Sequence, residues 1–251
     1  MASEKTLAIV LRVVDFSETS CVVNMFTRDF GKIGALAKGA RRPKSPFESA
    51  LDLLAVCRIV FIRKSSDSLD LLTEAKLERR FRSATRDLSR LYAGFYVAEL
   101  LNELTDVGDP HPDLFEVANQ TIQSIDASDE LAPLVLRFEL SALRLLGHLP
   151  SLNECVGCGK PVNATPRIAF GQISGGVLCA TCRIGKQQVT SVSSAVIDVL
   201  RTYADTDEKE WKVAEFDTKL RGELRGVVNQ FMNNLLGRKP IMQAYLRFLT
   251  K

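Results

Sequence analysis

Histidine is scarce in this chain, and several sequence motifs that mark enzymes are missing. The two histidines are His111 and His148, and neither stands in the His-x-Glu pair that zinc deaminases place upstream of Pro-Cys-x-x-Cys. There is no Gly-x-x-x-x-Gly-Lys-Ser/Thr loop for nucleotide phosphates and no Gly-x-Ser-x-Gly turn. No nucleophile and base can be paired from their spacing. These absences argue against metal catalysis and against a P-loop nucleotide site, and they leave open an enzyme whose site is not visible in the sequence.

Long apolar runs are also absent. No stretch of eighteen apolar residues exists, so the sequence predicts no membrane-spanning helix. The N-terminus lacks the charged-then-apolar build of a signal peptide. Cys21 and Cys57 lie inside apolar runs with no spacing typical of disulfides, which suits a reducing compartment. We therefore expect a soluble, cytoplasmic protein.

Charge is unevenly distributed along the chain, although the net charge is only +3. Residues 1–80 carry fourteen Lys and Arg against ten Asp and Glu, whereas residues 81–154 carry five against twelve. Residues 155–182 carry two basic and no acidic residues, and residues 183–251 carry twelve against eight. A basic beginning, an acidic middle and a basic end predict different partners for different parts of the chain.

Four cysteines have the spacing of a structural zinc site. Cys155-x2-Cys158 and Cys179-x2-Cys182 form two close pairs that a short insert separates. Two such turns close a tetrahedral shell of four thiolates around one Zn²⁺, with no coordination position left open for catalysis. Two disulfides, or thiols that simply fill space, are the alternatives, and the reducing compartment argues against the disulfides. The sequence therefore predicts one structural zinc ion per chain.

The first eighty residues have the pattern of short β-strands. Bulky apolar residues occupy the odd positions from Leu7 to Val13, and apolar and polar residues alternate from Leu69 to Leu77. Three more strand-like runs, at 21–27, 32–38 and 55–64, lie between them. Five short strands in about seventy residues favour a small closed barrel such as an OB-fold, with an SH3-like barrel as the alternative.

After Arg79 the period of the apolar residues changes to that of helices. Apolar residues recur at three and four from Leu88 to Leu104, and further helices are predicted at 113–125, 134–146, 194–204 and 218–236. The insert at 167–177 predicts a hairpin. We therefore expect an α+β protein whose N-terminal OB-fold, residues 1–79, precedes a helical domain formed by residues 80–154 and 183–251. A zinc-ribbon-like module, residues 155–182, is embedded in that domain.

Two basic clusters are candidates for binding nucleic acid. Arg28 precedes a segment with no acidic residue, whose basic members are Lys32, Lys38, Arg41, Arg42 and Lys44. Its glycine and proline predict a loop, and a basic loop on an OB-fold suits a nucleic-acid backbone. The second cluster comprises Arg79, Arg80, Arg82, Arg86 and Arg90. A helix would align Arg79, Arg82, Arg86 and Arg90 on one face, because they recur at three and four residues. A solvated surface is the alternative for each cluster, and Phe26 and Phe30 are candidate stacking faces unless they belong to the core.

The chain resembles the RecO family of DNA repair and recombination mediators. The resemblance begins in the predicted barrel, at Val10-Leu11, Phe26-Thr27-Arg28, Gly31-Lys32 and Ala37-Lys38-Gly39-Ala40-Arg41-Arg42. It continues through Glu99-Leu100, Phe138-Glu139-Leu140, Leu145-Leu146-Gly147-His148-Leu149-Pro150 and Cys155-Val156-Gly157-Cys158-Gly159 to Gly175-Gly176-Val177-Leu178-Cys179. These pieces occur in the family's order, from about residue 5 to 182 and more loosely to 240.

The resemblance implies a non-enzymatic bacterial protein that is associated with the nucleoid and has no small-molecule substrate. It implies binding to single- and double-stranded DNA, annealing of complementary strands, and action with RecR to load RecA onto strands coated by single-strand-binding protein. By the same resemblance, the four cysteines are zinc ligands. The implied DNA contacts are Lys32, Lys38, Arg41, Arg42 and Lys44. A zinc-ribbon protein of transcription or translation that binds RNA through its barrel is the alternative.

The acidic middle of the chain is predicted to dock proteins rather than DNA. By the resemblance, the acidic, Phe-ending tail of single-strand-binding protein is one candidate ligand. Arg137 and Arg144 are seven residues apart, so a helix presents them on one face, where a carboxylate would pair with either. The alternative is that these arginines pair with acidic neighbours such as Glu139.

Overall fold

A computed structural model describes residues 3–47, 50–64, 68–82, 87–127, 130–162, 165–205 and 217–250. Contacts divide the chain into two compact units, here called unit 1, Met1–Asp129, and unit 2, Glu130–Lys251. The first two helices after the predicted OB-fold therefore belong to the same compact unit as the strands. The predicted domain limits at 79, 154 and 182 describe sequence patterns and stay predictions.

Unit 1 contains a closed five-stranded barrel. Its strands are β1 (Ser3–Asp15), β2 (Cys21–Thr27), β3 (Gly31–Ala37), β4 (Val56–Ile62) and β5 (Asp70–Arg79). Their order around the barrel is β1-β2-β3-β5-β4, with β3 and β5 parallel and the other pairs antiparallel. This small closed barrel, followed by a helical part and a cysteine cluster, confirms the α+β fold with an OB-like N-terminal domain.

The barrel interior is lined by one side of each strand, as the period-two pattern requires. Val23, Ile33 and Ile59 belong to this buried cluster. In β1 the interior residues are Ala8 and Val10, whereas the bulky Ile9 and Leu11 are buried outside that cluster. The register of β1 on β2 shifts between Val10 and Arg12, which marks a bulge or irregularity in β1.

Two helices complete the described part of unit 1. They are α1 (Leu88–Leu104), which Asp87 caps, and α2 (Pro112–Ala127). The connection between them packs on the turn between β2 and β3. Gly31, at φ 67°, lies so close to the backbone of Asp109 that an added Cβ would be 2.2 Å from its carbonyl oxygen.

The described part of unit 2 contains three helices and a small sheet. The helices are α3 (Leu131–Leu145), α4 (Ser194–Ala204) and α5 (Thr218–Leu236), followed by 3-10 turns at Met242–Tyr245 and Arg247–Thr250. The sheet order is β7-β6-β8, from β6 (Arg167–Gly171), β7 (Gly176–Leu178) and β8 (Val189–Ser193). The predicted hairpin between the cysteine pairs is β6 and β7, whereas β8 was not predicted. Among the described residues, no helix is both long and apolar enough to span a membrane.

Candidate metal centre and nucleic-acid interface

Two tight turns bring four sulfur atoms together in unit 2. The Sγ atoms of Cys155, Cys158, Cys179 and Cys182 all lie within 4.8 Å of one another. Those of Cys158 and Cys179 are 4.0 Å apart. Four thiolates bound to one Zn²⁺ at about 2.3 Å would be separated by roughly 3.8 Å. The cluster therefore has the size and the donor set of a tetrahedral metal site, as the spacing predicted.

The backbone around the cluster is built to stabilise thiolates. The N–H groups of Cys179 and Gly157 point at the Sγ atom of Cys155 from 3.3 and 3.4 Å. The N–H of Cys179 is the main reason why the pKa of Cys155 is lowered to about 6. The neighbouring sulfurs, Cys179 first, raise the pKa of Cys182 to about 12. Four thiolates so close together repel one another electrostatically, and a divalent cation bound among them offsets this repulsion.

The segment that follows β3 presents exposed cations. Lys38, Arg41, Arg42 and Lys44 are all exposed. Two tight turns hold the segment: the N–H of Arg42 donates to Gly39 O at 3.0 Å, and that of Ser45 donates to Arg42 O at 3.1 Å. Arg41 forms an ion pair with Asp15. The described residues include no ion pair for the other three, so their charge faces solvent.

Two other predicted DNA contacts already bind groups within unit 1. The ammonium of Lys32 donates to the carbonyl oxygens of Asn102 and Thr105, at 2.5 and 2.8 Å, at the C-terminal end of α1. Burial lowers the pKa of Lys32. Arg28 pairs with Glu116 of α2 at 3.2 Å. These partners lie 70 to 88 residues away along the chain, so local sequence could not reveal them.

The second basic cluster is not one helical face. Arg79 is the last residue of β5, and its Nη2 donates to the backbone and side-chain oxygens of Asn119. Burial lowers the pKa of Arg79. Arg80 is exposed, with its Nε 3.5 Å from an oxygen of Asp52. Since α1 begins at Leu88, the expected alignment of these arginines on one helix is wrong, and Arg86 lies outside the described residues.

The two arginines of α3 have different surroundings. Arg137 donates to the carbonyl oxygens of Tyr203 and Asp205, where it closes the C-terminal end of α4. Arg144 lies in the last turn of α3, half-buried, and its Nε has no hydrogen-bond partner among the described residues. The predicted role of both in protein binding stays a prediction.

A buried ion pair, which the sequence did not predict, holds α3 and α5 together. Glu139 accepts two hydrogen bonds from Arg225, at 2.6 and 2.9 Å, and these side chains are 0% and 5% exposed. Asn229 accepts a third from the same guanidinium at 2.8 Å. The sequence suggested Glu139 as a partner for Arg137 or Arg144, whereas it meets a residue 86 positions later. This bidentate geometry is the strong form of an arginine–carboxylate pair.

The two candidate stacking residues, Phe26 and Phe30, are not the most exposed phenylalanine near the basic segment. Phe26 is fully buried against Phe115, with ring centroids 6.2 Å apart, and so belongs to the core. Phe30 is half-buried, edge-on to Phe61. Phe16, in the loop between β1 and β2, is 63% exposed. Its position directly before the polar run Ser17-Glu18-Thr19-Ser20 was the available signal, because a phenyl group at a polar turn has little to bury it.

Comparison with known proteins gives matches along nearly the whole chain. The family model Recombination protein O N terminal matches residues 1–81, and Recombination protein O C terminal matches residues 85–243. The DNA repair protein RecO of Rhodopirellula baltica is 42% identical over 96% of this chain and 97% of its own length. That of Myxococcus xanthus is 33% identical over 92% of each chain, and that of Anaeromyxobacter dehalogenans strain 2CP-1 is 30% identical over 98% and 96%. The chain therefore belongs to the RecO family of DNA repair proteins.

Proposed function

We propose that this protein is a non-enzymatic mediator of DNA repair and recombination that binds single- and double-stranded DNA through residues 38–44. The observation that carries the proposal is the exposure of Lys38, Arg42 and Lys44 on an OB-like barrel, with no ion pair among the described residues. Cations in this setting displace the counterions condensed on phosphates, which drives binding regardless of sequence. Arg41 exchanges its contact with Asp15 for a phosphate when DNA binds.

The wider role follows from family membership and from the names of the relatives. The relatives are named DNA repair proteins. We propose that this chain anneals complementary strands and acts with RecR to load RecA onto strands coated by single-strand-binding protein. This work would take place in the bacterial cytoplasm, at the nucleoid.

The cysteine cluster is proposed to hold one structural Zn²⁺. The ligands would be Cys155, Cys158, Cys179 and Cys182, whose sulfurs lie at the spacing of a four-thiolate shell. A metal with four protein ligands has no open position for water or substrate, so its contribution is to fold the turns around it. This supports the proposal that the chain is not a metalloenzyme.

Arg144 is the stronger of the two candidates for the acidic tail of single-strand-binding protein. Arg144 is partly exposed, with a buried Nε that has no partner among the described residues, whereas Arg137 binds carbonyl oxygens at the end of α4. Replacing Arg137 would therefore disturb unit 2 itself. The informative variant is Arg144→Ala, titrated with a labelled tail peptide against the wild-type protein.

The DNA site is tested with Arg41→Glu/Arg42→Glu. Binding to single-stranded oligo(dT) should weaken, and the slope of log affinity against log salt should fall by about 0.7 for each lost phosphate contact. The matched control is Lys5→Glu/Lys76→Glu, which makes the same charge change at exposed residues of β1 and β5. The control should change the affinity much less.

Unchanged affinity and slope in Arg41→Glu/Arg42→Glu would move the DNA site elsewhere. The same titration with duplex DNA and with single-stranded RNA separates the mediator from an RNA-binding zinc-ribbon protein, since the latter would prefer RNA. Annealing of complementary strands coated by single-strand-binding protein tests the wider role directly. Failure to accelerate that annealing would contradict it.

A further inference from the structure

An apolar row crosses the outer face of the barrel. The register pairs Val14 with Val22, Val22 with Leu36, and Leu36 with Leu71, on four neighbouring strands. Their sequence neighbours Val23, Ala37 and Leu72 belong to the interior cluster, so these four side chains point outward. None of the four is buried, and Val14 is 42% exposed. The row is therefore a half-exposed apolar strip on a surface that the barrel core does not use.

The loop between β1 and β2 carries an exposed aromatic residue next to the end of this row. Phe16 follows Val14 by two residues and is 63% exposed. Its loop is closed by hydrogen bonds from the N–H groups of Phe16 and Ser17 to Ser20 O, at 3.0 and 3.1 Å. The N–H of Ser20 donates back to the hydroxyl of Ser17 at 3.2 Å. The backbone that carries the ring is thus ordered, although the ring itself packs little against the protein.

The same loop is joined to the basic segment. The N–H of Arg41 donates to Thr19 O at 3.0 Å, and that of Gly39 donates to the hydroxyl of Ser20 at 3.2 Å. The ion pair of Arg41 with Asp15 is the third connection. Phe16 and the cations of residues 38–44 therefore belong to one surface. Its exposed acidic residues are Asp15, which Arg41 neutralises, and Glu18.

We propose that Phe16 and the apolar row form a stacking platform for nucleobases, and that this platform makes the barrel prefer single strands to duplex DNA. The proposal rests on the DNA-binding function proposed above. Phosphates would lie along residues 38–44, while unpaired bases would stack on the phenyl ring and lie over Val14 and Leu36. Aromatic stacking accepts every base and so needs no sequence preference. Bases inside a duplex are already stacked on their neighbours and cannot use the platform.

The fold supports this assignment on general grounds. OB-type barrels bind oligonucleotides on the face of strands 2 and 3, next to the loop that joins strands 1 and 2. In this chain the β1 end of that face is open, whereas the start of β3 is covered because Lys32 binds the end of α1. The open half of the face is the half that carries Phe16 and Lys38.

The test compares Phe16→Ala, Phe16→Leu and Phe16→Trp on three ligands: oligo(dT), a duplex of equal length, and an abasic phosphodiester strand. Loss of one stacked base should weaken oligo(dT) binding about 5- to 150-fold in Phe16→Ala. Phe16→Leu should lose most of the same affinity, and Phe16→Trp should retain it. Affinity for the duplex and the abasic strand should stay within about twofold. The salt slope should not change, because no phosphate contact is removed.

The outcomes separate this inference from the DNA-binding function on which it rests. If Arg41→Glu/Arg42→Glu weakens binding but Phe16→Ala does not, the stacking platform is wrong and the basic segment stands. If Phe16→Ala weakens binding to oligo(dT) and to the abasic strand equally, Phe16 does not contact bases and the inference also fails. Phe16→Trp in a Trp211→Phe background adds a direct readout. Oligo(dT) should quench its fluorescence and the abasic strand should not, and the absence of quenching by oligo(dT) would overturn the inference.

Discussion

The interactions that stabilise unit 1 differ from those that stabilise unit 2. The barrel of unit 1 closes through continuous backbone hydrogen bonding around five strands and through an apolar interior. Unit 2 has a three-stranded sheet, a cluster of four thiols, and a buried ion pair between α3 and α5. Both units bury apolar residues, but unit 2 also places charged and metal-binding groups in its interior, where the loss of one partner is costly.

This difference teaches where each unit tolerates change. In the barrel, an exposed residue such as Phe16 or Arg42 can be replaced without a change in the core. Such a replacement should therefore alter ligand binding more than stability. In unit 2, polar residues such as Glu139 and Cys155 are themselves part of the interior. Three predictions test this contrast.

The largest effect is expected from loss of the metal. Cys158→Ser, or a strong chelator, should release zinc and loosen residues 155–182, because structural zinc contributes on the order of ten kcal/mol to local folding. Amide hydrogen exchange should accelerate at Cys155, Val156 and Gly159, whose N–H groups are hydrogen-bonded around the first cysteine turn. Amides of the barrel should keep their protection.

Cys21→Ala is the control, since Cys21 lies in the barrel and outside the cluster. It should retain one zinc ion per chain. Metal analysis that finds no zinc in freshly purified, reduced wild-type protein would refute the assignment, as would equal zinc content in Cys158→Ser.

The second effect concerns the buried ion pair. Glu139→Ala or Arg225→Ala should lower the free energy of unfolding of unit 2 by about 3–5 kcal/mol, because each leaves a buried charge without its partner. The double variant Glu139→Leu/Arg225→Met should be more stable than either single variant, since no charge then remains buried. Urea denaturation followed by a probe in unit 2 measures these differences. A cost below about 1 kcal/mol for both single variants would show that the pair is not a structural support.

The smallest effect is a pH dependence of the barrel. Burial is the main reason why the pKa of the Cys57 thiol rises from its ordinary 9.0 to about 12. The unfolded chain therefore releases this proton at a lower pH than the folded chain, and stability falls as pH rises from about 9 towards 12. Between pH 9 and 10.5 the loss should reach at most about 2 kcal/mol.

Cys57→Ala isolates this contribution, because other alkaline titrations act on both proteins alike. The difference in urea midpoint between wild type and Cys57→Ala should shrink as pH rises over this range. The variant also loses the hydrogen bond from Cys57 Sγ to Ala50 O, at 2.7 Å, but this is a loss that does not depend on pH below 9. A difference that stays constant from pH 8 to 10.5 would contradict the assignment.

Capping residues and close cysteine pairs in the sequence predicted the elements that begin and end at those residues. The limits of α5 follow from Asp217, whose side chain accepts from the N–H of Leu220, and from Gly237 at φ 67°. The cysteine cluster was predictable for the same reason, because the spacing of each pair fixes a turn. By contrast, β8 has a weak alternating pattern and exists through its pairing with β6.

Contacts between distant residues explain what sequence reasoning could not find. The sequence made Lys32 and Arg79 candidates for binding DNA. In the structure each binds groups that lie 40 to 73 residues further along the chain. The pairing of Glu139 with Arg225 spans 86 residues. Only the folded structure therefore distinguishes Lys32 and Arg79, which bind groups inside unit 1, from the exposed residues Lys38, Arg42 and Lys44.

The Glu139–Arg225 pair also sets an order of events during synthesis of the chain. The barrel has all its strands once residue 79 has left the ribosome, so it can close while the rest is still being translated. Glu139 must then wait for a further 86 residues before its partner emerges. Throughout that interval the face of α3 that ends up buried carries a carboxylate without Arg225, so this ion pair can form only after α5 has been made. The ion pair that joins α3 to α5 in the finished protein is thus among the last contacts that the order of synthesis allows, whereas the barrel contacts are among the first.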